Sequence, residues 1–343
     1  MDKKKAIIYD VSLRDGSHAI SHQLTTEQIT AYAKAAEKAN IYAIEVGHGN
    51  GIGAASILVG QSKLGDELML RTAKENLNNT KLGIHIIPGF ATINKDLKMA
   101  VEVGVDIFRV ASHCTEADIT ERHIGFAREN GKEAYGLLMS SSMATPDILV
   151  EEAIKMQTYG AEAVVILDSA GSYLPDDVEQ RIKLLVENLN VPVGFHGHNN
   201  LSLGVYNSIV ALNAGAKIID ASIKGFGAGA GNTQLEVLVG LMQKYNYDSG
   251  IDLYSVLDLA DIADKLLIKE PITISPLSIV GGLSNVFSAF SKHINRISKK
   301  YNVDPRDVFF ELGKEKVIGG QEDKIIDVAI RLSKQKGNYN ELL

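Results

Sequence analysis

Two polar clusters, far apart in the chain, carry the residue types of metal-assisted chemistry. Asp10-Val11-Ser12-Leu13-Arg14-Asp15-Gly16-Ser17-His18 places a guanidinium, a carboxylate and an imidazole in one short stretch. Gly194-Phe195-His196-Gly197-His198-Asn199-Asn200 adds two more imidazoles. One carboxylate and two imidazoles form a common ligand set for a divalent cation, so Asp15, His196 and His198 are the candidate ligands. His196 and His198 are two apart on an extended segment and point to the same side, where Pro192 and Gly194 leave room. Arg14, beside a candidate ligand, can stabilise negative charge on a substrate enolate oxygen. His18, in the same loop, titrates in the range that suits a general base. Taken singly, each cluster has a plainer reading: a solvated ion pair in a strand-to-helix connection, and two hydrogen-bonded core histidines.

The elements that would bring these residues together follow from the apolar pattern. Short, near-continuously apolar runs occur at Ala6–Val11, Ile41–Val46, Lys81–Ile87, Val105–Ala111, Ala134–Met139, Ala163–Leu167, Val191–Phe195 and Lys217–Ile223. Strands of a parallel sheet covered by helices read this way. Helix signals lie between them. Thr25 and Gln28 have capping-box spacing, Thr145-Pro146 reads as N-cap and first helical residue, and Gly104, Gly160 and Gly215 stand just before strands as stops. Eight such strands predict an α/β fold of the (β/α)8 barrel type, a TIM barrel, whose chemistry sits on the loops after the strands. Arg14-Asp15, Gly47-His48, Ser112-His113, Ser140–Ser142, Asp168-Ser169, His196–His198 and the glycine-rich stretch Gly225–Gly231 all fall there. A doubly wound dinucleotide fold would need a Gly-x-Gly-x-x-Gly opening the first helix, which is absent.

Beyond about residue 260 the alternation gives way to helical patterns, at Tyr254–Lys269, Leu283–Lys300, Asp304–Leu312 and Glu322–Lys334. This divides the chain into a catalytic barrel, 1–260, and a helical C-terminal domain, 261–343. Over the 343 residues, 45% are hydrophobic, 22% are charged, and the net charge of −7 is spread with both signs interspersed. That balance offers no footprint for nucleic acid or an anionic membrane. No apolar run is long enough to span a bilayer, and Lys3-Lys4-Lys5 is followed by no apolar targeting segment. Cys114 is the only cysteine, which fits a reducing cytoplasm and reads as a small semi-buried residue rather than a nucleophile. The Gly225–Gly231 stretch could cradle a phosphate or admit backbone close to a substrate. Lys224 shares strand parity with Asp220 and Ser222, so a lumen-facing Schiff-base lysine is the rival chemistry.

Asp10-Val11-Ser12-Leu13-Arg14-Asp15-Gly16 resembles the D-x-T-L-R-D-G signature of the metal-dependent pyruvate aldolase and acyl-CoA lyase superfamily, with Ser12 in place of the usual Thr. Within it, five stretches resemble the 4-hydroxy-2-oxovalerate aldolase family: Leu13–Ile20, Ser112–Asp118, His198–Val205, Gly227–Asn232 and Val317–Asp323. The resemblance implies that Asp15, His196 and His198 hold a divalent cation, usually Mn2+, with Mg2+ or Co2+ as alternatives. It implies a retro-aldol cleavage giving pyruvate and an aldehyde such as acetaldehyde. Arg14 would stabilise the pyruvate enolate, His18 would accept the C4-hydroxyl proton, and Ser169 would contact substrate beside Asp15 and His196. The family tyrosine near the substrate is replaced here by Phe287, which keeps the ring and loses the hydroxyl. Lys224 is a second departure, since a small residue is expected there. Such aldolases pair with an acylating acetaldehyde dehydrogenase in a hetero-oligomer, passing the aldehyde through an internal channel, and the helical C-terminal region resembles the part that makes that contact. Two alternatives remain at this point: a Claisen-type condensing enzyme of the same superfamily that uses an acyl-CoA, and a non-catalytic scaffold for the dehydrogenase.

Overall fold

The computed structural model describes residues 3–335. Eight parallel strands among them close into a barrel in sequence order: β1 (Ile7–Leu13), β2 (Ala43–Val46), β3 (Lys81–Ile86), β4 (Ile107–His113), β5 (Glu133–Met139), β6 (Ala163–Asp168), β7 (Val193–Gly197) and β8 (Ile218–Ala221). β8 returns to pair with β1, Ile7 lying opposite Ile218 and Tyr9 opposite Asp220. The fold class expected from the sequence is the one observed, and each expected strand overlaps its observed counterpart.

Strand residues of one parity, among them Ile8, Ile44, Phe108, Val164, Phe195 and Ile219, pack outward against the helices in one continuous core. Those of the other parity, including Tyr9, Val11, Ile107, Tyr135, Leu137 and Val165, fill the lumen. Gly83 on β3 is glycine for room: a Cβ there would lie 1.6 Å from the Tyr9 hydroxyl. The helix after β1, Thr26–Lys38, starts on the capping box read from the sequence, with Thr25 accepting from the Gln28 amide and Gln28 accepting from the Thr25 amide. Such a cap contributes about 1 kcal/mol. Thr145 caps Pro146–Thr158 in the same way, and Gly160 follows with φ +104°.

The helix Leu253–Leu266 buries Val256, Leu259 and Ala263 in the barrel–helix core, and residue 260 falls within it. Helices Pro276–Ser284, Ser291–Lys300, Pro305–Lys314 and Asp323–Gln335 then gather around a separate core that includes Val286, Phe290, Ile294, Phe309, Leu312 and Val328. One expectation is corrected here. The single helix expected over Leu283–Lys300 is two helices with a break between them. Asn285 ends the first in the left-handed region, φ +57°, where an asparagine is tolerated better than most residues. Its Oδ1 accepts from the hydroxyls of Ser142 and Ser172, which holds the break against the barrel mouth. No helix among the described residues is long and apolar enough to cross a membrane.

Candidate active site

The end of β1 is anchored before it turns. Asp10 accepts from the Ser12 amide and hydroxyl and from Tyr32, so the strand leaves the barrel in a fixed direction. Arg14 follows, and Asp15–His18 forms a single 3-10 turn in which Asp15 is buried. Nε of Arg14 donates to Glu45 Oε2 at 2.7 Å, and Nη1 reaches Asp15 Oδ1 at 3.1 Å and the Gly49 carbonyl at 3.2 Å. Nη2 is buried and has no partner. A fixed guanidinium with one free NH2 group in a buried site is a ready donor to a developing oxyanion.

β7 delivers the imidazoles. Asp15, His196 and His198 each present one ligand atom, all within 4.8 Å of one another, and all three residues are buried. His196 Nδ1 donates to Asp220 Oδ2 at 2.9 Å, which leaves its Nε2 bare and facing His198 Nε2 at 3.3 Å. A carboxylate behind a histidine fixes its tautomer and raises its basicity, the usual support for a metal-ligating imidazole. Asn232 donates to Asp15 Oδ2 at 2.5 Å, while its own Oδ1 is buried without a partner. A carboxylate, two imidazole nitrogens in contact and an orphaned amide oxygen are a donor set that fits a divalent cation. Burial alone would raise the Asp15 carboxyl, but Arg14 and the surrounding imidazoles hold it well below the usual carboxylate range. Burial, with His196 and Arg14 adding to it, pushes His198 down to about 4, so the ring is neutral and able to donate its lone pair near pH 7.

His18 belongs to a group of three rings. His22 and His48 stack with centroids 3.6 Å apart, and His18 meets His22 edge-on at 5.1 Å. The Asn50 amide donates to His48 Nδ1 and the Gly49 amide donates to His22 Nδ1, so both rings are held as neutral tautomers. Burial pulls His18 below its ordinary value, against the opposing pull of Asp15. A neutral imidazole in the turn that begins with a candidate metal ligand is placed to take a proton.

Ser169 and Phe287 line one small cavity together with Ser140, Ser142, Met143, Ala170 and Asn285. It adjoins the imidazole pair by strand order, because Asp168 is in register with Gly197. Ser169 Oγ accepts from the Ser140 amide at 3.0 Å. Phe287 arrives there from the break after Asn285 rather than from the face of a helix, as its spacing with Phe290 and Ile294 suggests. Lys224 is not brought to the site. Its backbone is left-handed, φ +53°, and its ammonium pairs with Asp264 on the outer helix at 2.5 Å, which removes the Schiff-base rival. Cys114 is buried, donates to the Ser140 carbonyl at 3.2 Å and has its thiol pushed up to about 12 by burial, so it is inert. The glycine-rich loop serves close approach: a Cβ at Gly231 would lie 2.0 Å from the Gly225 carbonyl, and one at Gly227 would lie 3.0 Å from Asp15 Oδ2.

The sequence reading did not single out Glu45, Arg109 or His22, named His48 only among the polar strand ends and Asn232 only as the end of a glycine-rich stretch, and took Asp220 only as a parity marker. The signal for three of them was present. Ile44-Glu45-Val46, Phe108-Arg109-Val110 and Ile219-Asp220-Ala221 each put one charge inside an apolar strand, where burial demands a partner.

The barrel with this site defines a class, and comparison agrees. Residues 5–263 match the HMGL-like family and residues 272–334 match the DmpG-like communication domain. The carboxyl transferase domain of Rhizobium etli pyruvate carboxylase, solved with oxamate and biotin, shares the fold at a TM-score of 0.82 and 15% identity, over 97% of this chain and 61% of that one. The nearer likeness is in sequence. The 4-hydroxy-2-oxovalerate aldolases of Pectobacterium atrosepticum and Spirochaeta aurantia are 58% and 54% identical to this chain, each over 98% of both sequences. The chain belongs to the 4-hydroxy-2-oxovalerate aldolase family.

Proposed function

We propose that this protein is an aldolase that cleaves 4-hydroxy-2-oxovalerate, or a close homologue, to pyruvate and an aldehyde, with Asp15, His196 and His198 holding the divalent cation. The observation that carries the reading is the buried convergence of those three donors beside the free NH2 group of Arg14. A divalent cation there supplies Lewis-acid polarisation of the 2-keto oxygen. His18 accepts the proton of the C4 hydroxyl as the C3–C4 bond breaks and the aldehyde carbonyl forms. The electron pair of that bond forms the C2=C3 double bond as the keto pair passes to the C2 oxygen, where Arg14 stabilises the enolate; C3 then takes a proton from water, balanced by release of the proton on His18, to give pyruvate. Ser169 orients the substrate, and Phe287 packs an apolar ring against it. Mn2+ is the ion we assign, ahead of Mg2+ and Co2+.

The same proposal takes the helical unit after residue 260 as the docking surface for an acylating acetaldehyde dehydrogenase in a hetero-oligomer. The match of residues 272–334 to a communication domain supports it. It also takes the enzyme as cytoplasmic, which a single buried thiol suits.

The test uses the purified full chain, stripped of metal and reloaded with Mn2+. Pyruvate and aldehyde should appear in equal amounts from 4-hydroxy-2-oxovalerate, and neither should appear without the ion. Release of free CoA from a thioester, with no aldehyde formed from the hydroxy-keto acid, would overturn the reading in favour of Claisen chemistry.

A further inference from the structure

One fully buried charged side chain has had no role so far. Arg109, in the middle of β4, is fully buried in the barrel lumen. In a closed barrel of eight strands β4 faces β8, and the guanidinium crosses the lumen to reach it. Nη2 donates to both oxygens of Asp220, at 2.9 and 2.7 Å, and Nη1 approaches Glu45 Oε1 at 3.4 Å. The guanidinium lies over the Tyr9 ring, 4.1 Å from its centroid, which fixes its height in the lumen.

Each carboxylate that Arg109 holds also holds a residue of the site. Asp220 Oδ2 accepts from His196 Nδ1 at 2.9 Å, and Glu45 Oε2 accepts from Arg14 Nε at 2.7 Å. The chain of contacts is therefore continuous: Arg14, Glu45, Arg109, Asp220, His196. We propose that Arg109 is a positioning residue that sets, through Asp220 and Glu45, both the imidazole tautomer at the cation site and the direction of the guanidinium that faces the substrate.

Charge and shape both require an arginine there. Glu45 and Asp220 are buried, and two carboxylates sharing a dry lumen need matched cations. Arg14 and Arg109 supply two positive charges to their two negative ones. Without Arg109, Asp220 loses the donor that fixes both of its oxygens, and a displaced carboxylate no longer holds the proton on His196 Nδ1. A lysine keeps the charge but fixes neither carboxylate, because one ammonium on a flexible stem lacks the guanidinium fork that offers donors on two sides at fixed geometry. The contacts from neighbouring strands leave no substitute: Arg109 lies in register with His85 on one side and Tyr135 on the other.

The inference rests on the assignment of Asp15, His196 and His198 as the cation site, and its test separates the two. Imidazole nitrogen NMR of the metal-free enzyme reads the His196 tautomer without any ion. Calorimetry with Mn2+ reads affinity, and steady-state kinetics reads kcat and KM. Asp220→Asn should redistribute the His196 tautomer and weaken Mn2+ by about 10- to 100-fold, the range typical of such supports. Glu45→Gln should lower kcat with Mn2+ affinity within about threefold of wild type, since its arm leads to Arg14. Arg109→Lys should do both, and adding Arg109→Lys to Asp220→Asn should weaken Mn2+ little further, because the two act on one line. A folded Arg109→Lys with wild-type tautomer and Mn2+ affinity would overturn the proposal. So would fully additive losses in the double variant. If the Arg109 variants do not fold, an unchanged His196 tautomer in Asp220→Asn refutes it on its own. Wild-type enzyme that shows the tautomer but binds no Mn2+ would instead sink the cation-site assignment.

Discussion

Gly49→Ala is the sharpest probe of His18 as the base, because it acts on the ring without touching its chemistry. A Cβ at Gly49 would lie 2.5 Å from Cδ2, Cε1 and Nε2 of His18. The backbone of Gly49 is outside the left-handed region, so alanine is tolerated there and the effect is one of size alone. The Gly49 amide to His22 and its carbonyl from Arg14 do not involve the added methyl, while its backbone contact to His18 loosens as the ring retreats. To restore an ordinary contact of 3.4 Å the imidazole has to retreat by about 0.9 Å. Displacing a catalytic group by roughly 1 Å costs on the order of 100-fold in rate. Crowding a packed site costs about 1–3 kcal/mol of stability in addition. Asp15, His196 and His198 are untouched, so Mn2+ affinity should stay at the wild-type value while kcat falls about 100-fold. The assay is coupled pyruvate release under saturating Mn2+, with calorimetry alongside. Wild-type kcat in Gly49→Ala would mean that the position of His18 is immaterial, and the imidazole would leave the mechanism. A kcat loss that tracks a loss of Mn2+ affinity would place the effect in the loop and not in the base.

Asp15→Asn and His198→Ala should each abolish Mn2+ binding and turnover while far-UV circular dichroism stays that of the wild type. Retained stoichiometric Mn2+ in either would exclude that residue as a ligand. Burial holds His22 down to about 3 and His48 down to about 4, below an unfolded imidazole near 6.5, so the fold favours their neutral forms. Their contribution is complete above about pH 6.5 and is lost as pH falls toward the folded values, because the unfolded state then binds more protons. Thermal melts of metal-free wild type and His22→Asn should therefore shift in favour of the variant as pH drops from 7 to 4.5, and a constant difference in Tm would refute this. Phe287→Tyr restores a hydroxyl beside Ser169. One hydrogen bond made to a single C4 configuration should raise the ratio of kcat/KM between the two enantiomers by up to about tenfold over wild type. An unchanged ratio would separate Phe287 from the C4 centre.

The barrel was legible because its signals are local. Apolar runs mark the strands, and caps such as Thr25 with Gln28 mark where helices begin. The convergence of the three candidate ligands was legible because parity at a strand end is local too: Asp15 follows β1, and His196 and His198 alternate along β7 and just past its end. Glu45, Arg109 and Asp220 are different. Arg109 meets Asp220 across 111 positions of sequence, and no spacing rule encodes which strands face each other across a closed lumen. The break at Asn285 escaped notice for a related reason. The periodicity of Phe287, Phe290 and Ile294 runs through it, whereas the stop depends on serines contributed by two distant loops.

That hidden layer also explains why the site suits a 2-keto acid. Arg14 and Arg109 are balanced by Glu45 and Asp220, so the floor of the lumen is neutral as a unit. Above it the imidazoles of His22, His48 and His198 are held neutral, so among the three candidate ligands the Asp15 carboxylate is the negative group. A divalent cation on that carboxylate would leave one net positive charge in a buried site, and a buried charge calls for a partner. The carboxylate of a 2-keto acid provides it. The second negative charge appears only when the enolate forms, and in the proposed mechanism the unpartnered Nη2 of Arg14 is its donor. Binding energy is then spent on the carboxylate in the ground state and on the oxyanion in the transition state.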